Sequence, residues 1–219
     1  MTRIVIALHT HMSIKRYSTN GGIFGINSNF DDRFVPDYGK LKKLVEHCKG
    51  IGLRIILTQG TYDMVHIGHA RYFEEAKKHG DLLVVGVDSD KKVRHRKGPD
   101  RPLVPQTERL EMVTHLRPVD IVTVKELNMP RWHLIKTVQP DVLIVTDETV
   151  KKNGKQKMKE MAKYCGEIIV LKPMATTSTS AKIRRLQLSL AKKFEKAILP
   201  KVADMISSTL MGYQEAKRK

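Results

Sequence analysis

The stretch Arg54-Ile55-Ile56-Leu57-Thr58-Gln59-Gly60-Thr61-Tyr62-Asp63-Met64-Val65-His66-Ile67-Gly68-His69 passes from strand through turn into helix. Residues 54–59 form a short, mostly apolar run without polar alternation, as in a strand buried on both faces. Residues 66–78 continue with helical spacing. The unit then recurs. Residues 82–87, 121–124, 142–145 and 168–171 are further short apolar runs. Helical patterns at 107–116 and near 131–138, and a Lys-rich one before the last run, separate them. Such alternation predicts an α/β fold: a Rossmann-like, doubly wound, parallel five-stranded sheet with helices on both faces. Ligands of such sheets bind beyond the carboxyl ends of the strands. Chemistry is therefore expected after Gln59, Val87, Val145 and Leu171.

Outward from this core the chain divides into three parts. Residues 1–36 form an N-terminal extension of unclear structure, with a possible strand at 3–8 and a turn at Asn20-Gly21-Gly22. Residues 37–186 form the α/β domain. It opens on a helix capped by Asp37, with Leu41, Leu44, Val45 and Cys48 on one face. Residues 187–219 form a basic amphipathic helical tail. Ile183, Leu186, Leu190, Phe194 and Ile198 mark an apolar stripe that Pro200 is expected to interrupt, and Val202, Met205, Ile206 and Leu210 begin a second helix. Thr107 is a plausible cap for the helix at 107–116.

The 219 residues are 41% hydrophobic and 29% charged, enough apolar material for one sizeable core. No apolar run nears the ~20 residues of a membrane span. The apolar start is short, runs into His9 and His11, and lacks a cleavage pattern, so a soluble cytoplasmic protein is expected. Cys48 and Cys165 stand apart and suit neither a disulfide framework nor a metal cluster. The net charge of +17 favours polyanions of some kind. From Ala181 onward there are ten Lys/Arg and three Asp/Glu, so much of the excess lies in the tail.

Three segments carry chemistry. In the first, 60–69, amides at a helix start and its positive dipole end favour phosphate. His66 and His69, three apart, can face one ligand and donate to charge developing at phosphorus. Gly68 keeps bulk away from a nucleotide. The nucleophile is already present as a substrate's phosphate, so no catalytic Ser or Cys is required. The second segment, after Asp88-Ser89-Asp90, is a basic loop over 91–105 placed to cover phosphates. Within it Lys91 and Lys92 read as solvated. The third, Pro173-Met174-Ala175-Thr176-Thr177-Ser178-Thr179-Ser180, offers hydroxyls and amides at another helix start.

The first segment resembles the signature of the cytidylyltransferase-like nucleotidyltransferases. Lys97-Gly98 followed by Arg101-Pro102 and Pro105, then Glu108-Arg109, resembles the same family, as does the Ser/Thr run. The resemblance implies that His66, His69 and Lys97 are catalytic. It implies a nucleotide site built from Gly60, Thr61, Tyr62, Asp63, Gly68, Ser178, Thr179 and Ser180. Arg109, like Asp88, would hold the acceptor or support the loop, and Asp147 would lie near the nucleotide or acceptor. No carboxylate cluster suggests a tight metal site, so Mg²⁺ should arrive with the triphosphate. Arg117-Pro118-Val119-Asp120 resembles a dimer-forming segment of relatives, which implies a homodimer.

The reading is a nucleotidyltransferase acting on a nucleoside triphosphate and a small phosphorylated acceptor. Lys97 to Pro105, Pro140-Asp141-Val142-Leu143 and a Ser/Thr run without a leading arginine look most like heptose-phosphate adenylyltransferases, favouring ATP and a sugar phosphate. Asp63 to His69 looks more like ethanolamine-phosphate cytidylyltransferase, which leaves CTP with a phospho-alcohol, of ethanolamine- or glycerol-phosphate type, as the alternative. His66-Ile67-Gly68-His69 also spells the class I aminoacyl-tRNA synthetase signature, but no lysine-serine loop follows Leu171. A non-enzymatic module binding RNA or acidic lipid through the basic tail is the competing class. Aromatic residues at 5%, without an RNA-recognition pattern, weigh against it.

Overall fold

The computed structural model describes residues 22–25, 28–172, 174 and 179–216. The possible strand at 3–8, Asn20-Gly21 of the expected turn, and Ser178 lie outside them. A 3-10 turn at Gly22–Phe24 leads to α1 (Phe30–Arg33) and α2 (Tyr38–Gly50). Then follow β1 (Ile55–Gly60), α3 (Ile67–Lys77), β2 (Leu82–Asp88), α4 (Asp90–Lys97) and α5 (Gln106–Thr114). The chain continues through β3 (Ile121–Lys125), α6 (His133–Val138), β4 (Val142–Thr146), α7 (Asp147–Ala162), β5 (Glu167–Leu171) and α8 (Thr179–Ala216). The sheet is five-stranded in the order β3-β2-β1-β4-β5, with every pairing parallel, as expected.

Strand side chains alternate between faces, so one run of apolar residues feeds two cores. Ile56, Leu83 and Val85 pack with Phe73 and Ala76 of α3 and Leu110 and Val113 of α5. Ile55, Leu57 and Val84 pack on the other face with Leu41 and Val45 of α2, Ile135 and Val138 of α6 and Met161 of α7. The amino ends of the strands are tied by aspartates. Asp141 Oδ2 accepts from the Ile55 amide (2.7 Å), and Asp120 Oδ2 accepts from the Leu83 amide (2.6 Å) and pairs with Lys77. The switch in strand order falls between β1 and β4, which opens a crevice at their carboxyl ends.

The described part of the extension packs on the domain. Phe30 and Phe34 stack with ring centroids 5.0 Å apart, and Phe34 bridges to Val122 of the edge strand β3. Arg33 donates to the carbonyls of Thr114 and Val119. The outer side of β3 is thus partly covered, which protects its free backbone groups.

Three local expectations are corrected. The basic segment after β2 begins as a helix, α4, not a loop. Ser89 caps it by accepting from the Lys92 amide, Asp90 opens it, and Arg94, His95, Arg96 and Lys97 close it. That charge order suits the helix dipole, although only Val93 is buried. Helix α5 starts after Pro105, with no side-chain cap bond, so Thr107 is not its cap. Pro200 does not interrupt the tail: α8 runs through it as one helix of 38 residues. A proline removes one backbone hydrogen bond, and the turns on either side can continue the helix.

Candidate active site

Three elements converge beyond the carboxyl end of β1. His66 is the N-cap of α3, and its Nδ1 accepts from the Gly68 amide at 3.1 Å. His69, one turn on, accepts from the His66 amide through Nδ1 at 3.3 Å. Both Nδ1 atoms act as acceptors, so each neutral ring carries its proton on Nε2. The two rings lie 4.1 Å apart between centroids, tilted by 34°. Burial lowers the pKa of His66, with Lys182 adding to the effect. His69 is pushed down to about 4, first by burial, then by His66, Lys182 and Lys97. The pair therefore offers neutral N–H donors at pH 7 and needs no protonation to do so.

The lysines that act on these rings come from far along the chain. Lys97 ends α4, and burial, then Arg101 and Arg96, lowers its pKa. Lys182 stands in the first turn of α8. Two cations beside two unprotonated imidazoles make a site for several negative charges.

The turn holding this arrangement is tightly specified. Tyr62 and Met64 both adopt positive φ. The Tyr62 ring is buried, packs against Phe73, and meets the His69 ring edge-on at 5.6 Å. It thus supports His69 from below. A Cβ on Gly60 would come within 2.9 Å of the Tyr62 ring, which explains glycine there. Asp63 is buried; its carboxylate accepts from the Leu103 and Val104 amides and pairs with Arg101 at 2.7 Å. Arg109 is also buried. It donates to the Val104 and Thr61 carbonyls and to Asp90 (2.7 Å). These bonds tie the segment around Val104 and the Thr61 turn to α4.

Asp88, buried at the end of β2, pairs with Arg96 (2.6 Å) and Lys125 (3.3 Å). Burial, partly offset by Asp88, lowers the Lys125 pKa. Asp147 opens α7 at the carboxyl end of β4 and is half-buried. Thr179 and Ser180 begin α8; their side chains lie outside the described residues. Beside this centre, at the ends of β1 and β3, is a cavity of about 220 Å³. Tyr38, Gln59, Lys92, Lys125, Arg131 and Trp132 help to line it. Lys92, read as solvated from sequence, lines this cavity and donates to the Glu126 carbonyl at 3.2 Å. Among the described residues, no group of three or more His, Cys, Asp or Glu is placed to hold a metal ion. None of their helices is long and apolar enough to cross a membrane.

A family model described as cytidylyltransferase-like matches residues 57–211, which span β1 through most of α8. The chain belongs to the cytidylyltransferase-like family. It is 34% identical over 158 residues to bifunctional protein HldE of a Nitratiruptor species, covering 71% of this chain and 32% of that protein. It is 39% identical over 113 residues to bifunctional protein HldE of Geotalea uraniireducens, covering 52% and 23%. The chain thus spans about a third or less of the length of these curated relatives. Among solved structures, pantoate-beta-alanine ligase from Francisella tularensis, complexed with beta-gamma ATP and beta-alanine, is similar over 68% of this chain and 69% of that one. Its TM-score is 0.51 at 12% identity, a likeness of fold.

Sequence reasoning missed two residues at this candidate site, Lys182 and Lys125. Lys182 carries a signal, since it follows the Ser/Thr run by two positions. Lys125 carries none in its own strand. Gly86 makes room for it on β2, where a Cβ would come within 2.9 Å of the Lys125 stem and closer still to Leu134.

Proposed function

We propose that this chain transfers a nucleoside monophosphate, from ATP in preference to other triphosphates, to a small phosphorylated acceptor such as a sugar phosphate. An acceptor phosphate oxygen attacks the α-phosphorus, the bond to the bridging oxygen breaks, and pyrophosphate leaves. The observation that carries this reading is the His66 and His69 pair at the start of α3, with rings 4.1 Å apart and both Nδ1 atoms held by backbone amides so that Nε2–H is left to donate, in the field of Lys97 and Lys182. Neutral Nε2–H donors and ammonium groups suit charge that spreads over phosphoryl oxygens in the transition state. Mg²⁺ would enter with the triphosphate and keep much of its water. The acceptor would enter through the cationic cavity beside Gln59, one residue before the phosphate turn. Family membership supports the reaction type. The motif resemblance to heptose-phosphate adenylyltransferases supports ATP and a sugar phosphate.

The test is pyrophosphate release with each of four nucleoside triphosphates against a panel of phosphorylated sugars and alcohols. ATP with a sugar phosphate should lead. CTP with a phospho-alcohol leading instead would replace the substrate assignment and keep the reaction. No release with any pair would remove the reaction itself.

A further inference from the structure

We propose that Tyr38, from the helix preceding the family-matched region, is a specificity-determining residue that with Trp132 forms the aromatic wall of the acceptor cavity. The role as acceptor site rests on the proposed function; the occupant is a polyhydroxylated phosphate monoester.

Four observations carry this. Tyr38 opens α2, and its ring stacks on His133 of α6 with centroids 5.0 Å apart and planes 2° apart. The Tyr38 hydroxyl donates to the Val124 carbonyl at 3.0 Å, so α2 is fixed to the end of β3 beside Lys125. Tyr38 and Trp132 line one cavity with Lys92, Lys125 and Arg131. Aromatic faces take the C–H-rich side of a sugar, and clustered cations take its phosphate. Finally, Trp132, which lines the cavity, has φ of +62°, a costly state for a bulky residue at a candidate site. The cations are only partly neutralised: Lys125 faces Asp88, Lys92 faces a carbonyl, and Arg131 lies 3.7 Å from Glu160 on the exposed side.

Trp132 is the sole tryptophan of the chain, so its fluorescence reports on this cavity directly. The full chain is titrated with a hexose 1-phosphate, with inorganic phosphate, and with ATP alone. The hexose phosphate should change the emission at lower concentration than inorganic phosphate, and ATP alone should change it least. Tyr38→Leu and His133→Leu break the stack from either side. Both should weaken hexose phosphate binding by ~10-fold, about 1.4 kcal/mol. Urea unfolding of each variant checks that it is folded. In the enzyme assay, KM for the acceptor should rise while KM for the triphosphate holds.

A response to ATP that matches or exceeds the hexose phosphate response would assign the cavity to the base and overturn the inference. So would folded variants that bind hexose phosphate as the wild type does. If no substrate pair released pyrophosphate, yet Tyr38→Leu abolished hexose phosphate binding, the cavity assignment would stand and the proposed reaction would fall.

Discussion

At the residue scale, both histidine rings are held by the backbone, an arrangement that suits a donor rather than a general base. Each Nδ1 is occupied by a backbone amide, so the useful proton sits on Nε2. His66→Ala and His69→Ala should each lower turnover ~10²-fold or more, with the circular dichroism spectrum unchanged. Near-normal turnover in both would remove the mechanism. The depressed pKa of His69 also links to stability. Its imidazole titrates near its ordinary 6.5 in the unfolded chain and at about 4 in the fold. Between those values the unfolded state binds a proton that the folded state refuses, so stability falls as pH drops from 6.5 to 4. Above 6.5 the residue contributes no slope. In His69→Gln the urea midpoint should fall less steeply across that window, and an identical slope would contradict the shift. Lys97→Ala should lower kcat/KM by ~10- to 100-fold, the loss of a charge-assisted hydrogen bond to phosphate. ATP and CTP should suffer alike, because both carry the same triphosphate. Lys91→Ala, at an exposed position, is the control and should change the rate little. A tenfold change in ATP-to-CTP preference would show that Lys97 reads the base instead.

At the element scale, Arg109 is the clamp that joins the turn after β1, the 101–104 segment and α4. It reaches Thr61, Val104 and Asp90 from a fully buried position on α5. Arg109→Leu should lower unfolding free energy by ~3–5 kcal/mol, the cost of breaking a buried ionic network from one side. It should also impair catalysis with every triphosphate, through misplacement of Thr61 and Lys97. Urea unfolding gives the first result and pyrophosphate release the second. Unchanged stability together with a raised KM for the acceptor alone would return Arg109 to the acceptor site. The clamp is half legible in sequence. Glu108-Arg109 stands out beside the basic segment, but nothing in the string tells whether a guanidinium turns to ligand or to carbonyls. Helix α4 was hidden for a related reason. A run of Lys, Arg and His has no apolar periodicity, so the cap at Ser89 and the charge order had to be weighed without it.

At the scale of the whole molecule, the sheet and its two cores form one unit, and α8 extends from it. Leu186, Leu190, Phe194, Ile198 and Leu210 are all exposed along that helix. A chain ending at Leu186 should therefore unfold at the same urea concentration as the full chain and keep pyrophosphate release. Its affinity for heparin should fall, because most of the tail's positive charge is gone. Loss of folding would show that α8 packs on the core. Light scattering of both chains tests assembly. The full chain should have about twice the 25.0 kDa monomer mass, and a monomeric mass would refute the homodimer. The 117–120 segment has internal work as well, since Val119 is buried and Asp120 holds the start of β2.

The sequence by itself determined the sheet, because residues of a buried parallel strand are apolar on both faces and need no knowledge of their neighbours. It also determined the turn after β1, where strand, glycine, histidine pair and helix start are contiguous and their geometry is local. Tertiary structure alone decided what distant residues share. Lys182 comes within electrostatic range of the histidines only because β5 returns the chain to the sheet. Tyr38 and Trp132 line one cavity only because α2 and the start of α6 cover the same face. Whether a charged side chain meets a ligand, a carbonyl or another charge depends on the direction it takes from its backbone. That direction is set by packing partners far away in sequence, so periodicity and spacing carry no trace of it.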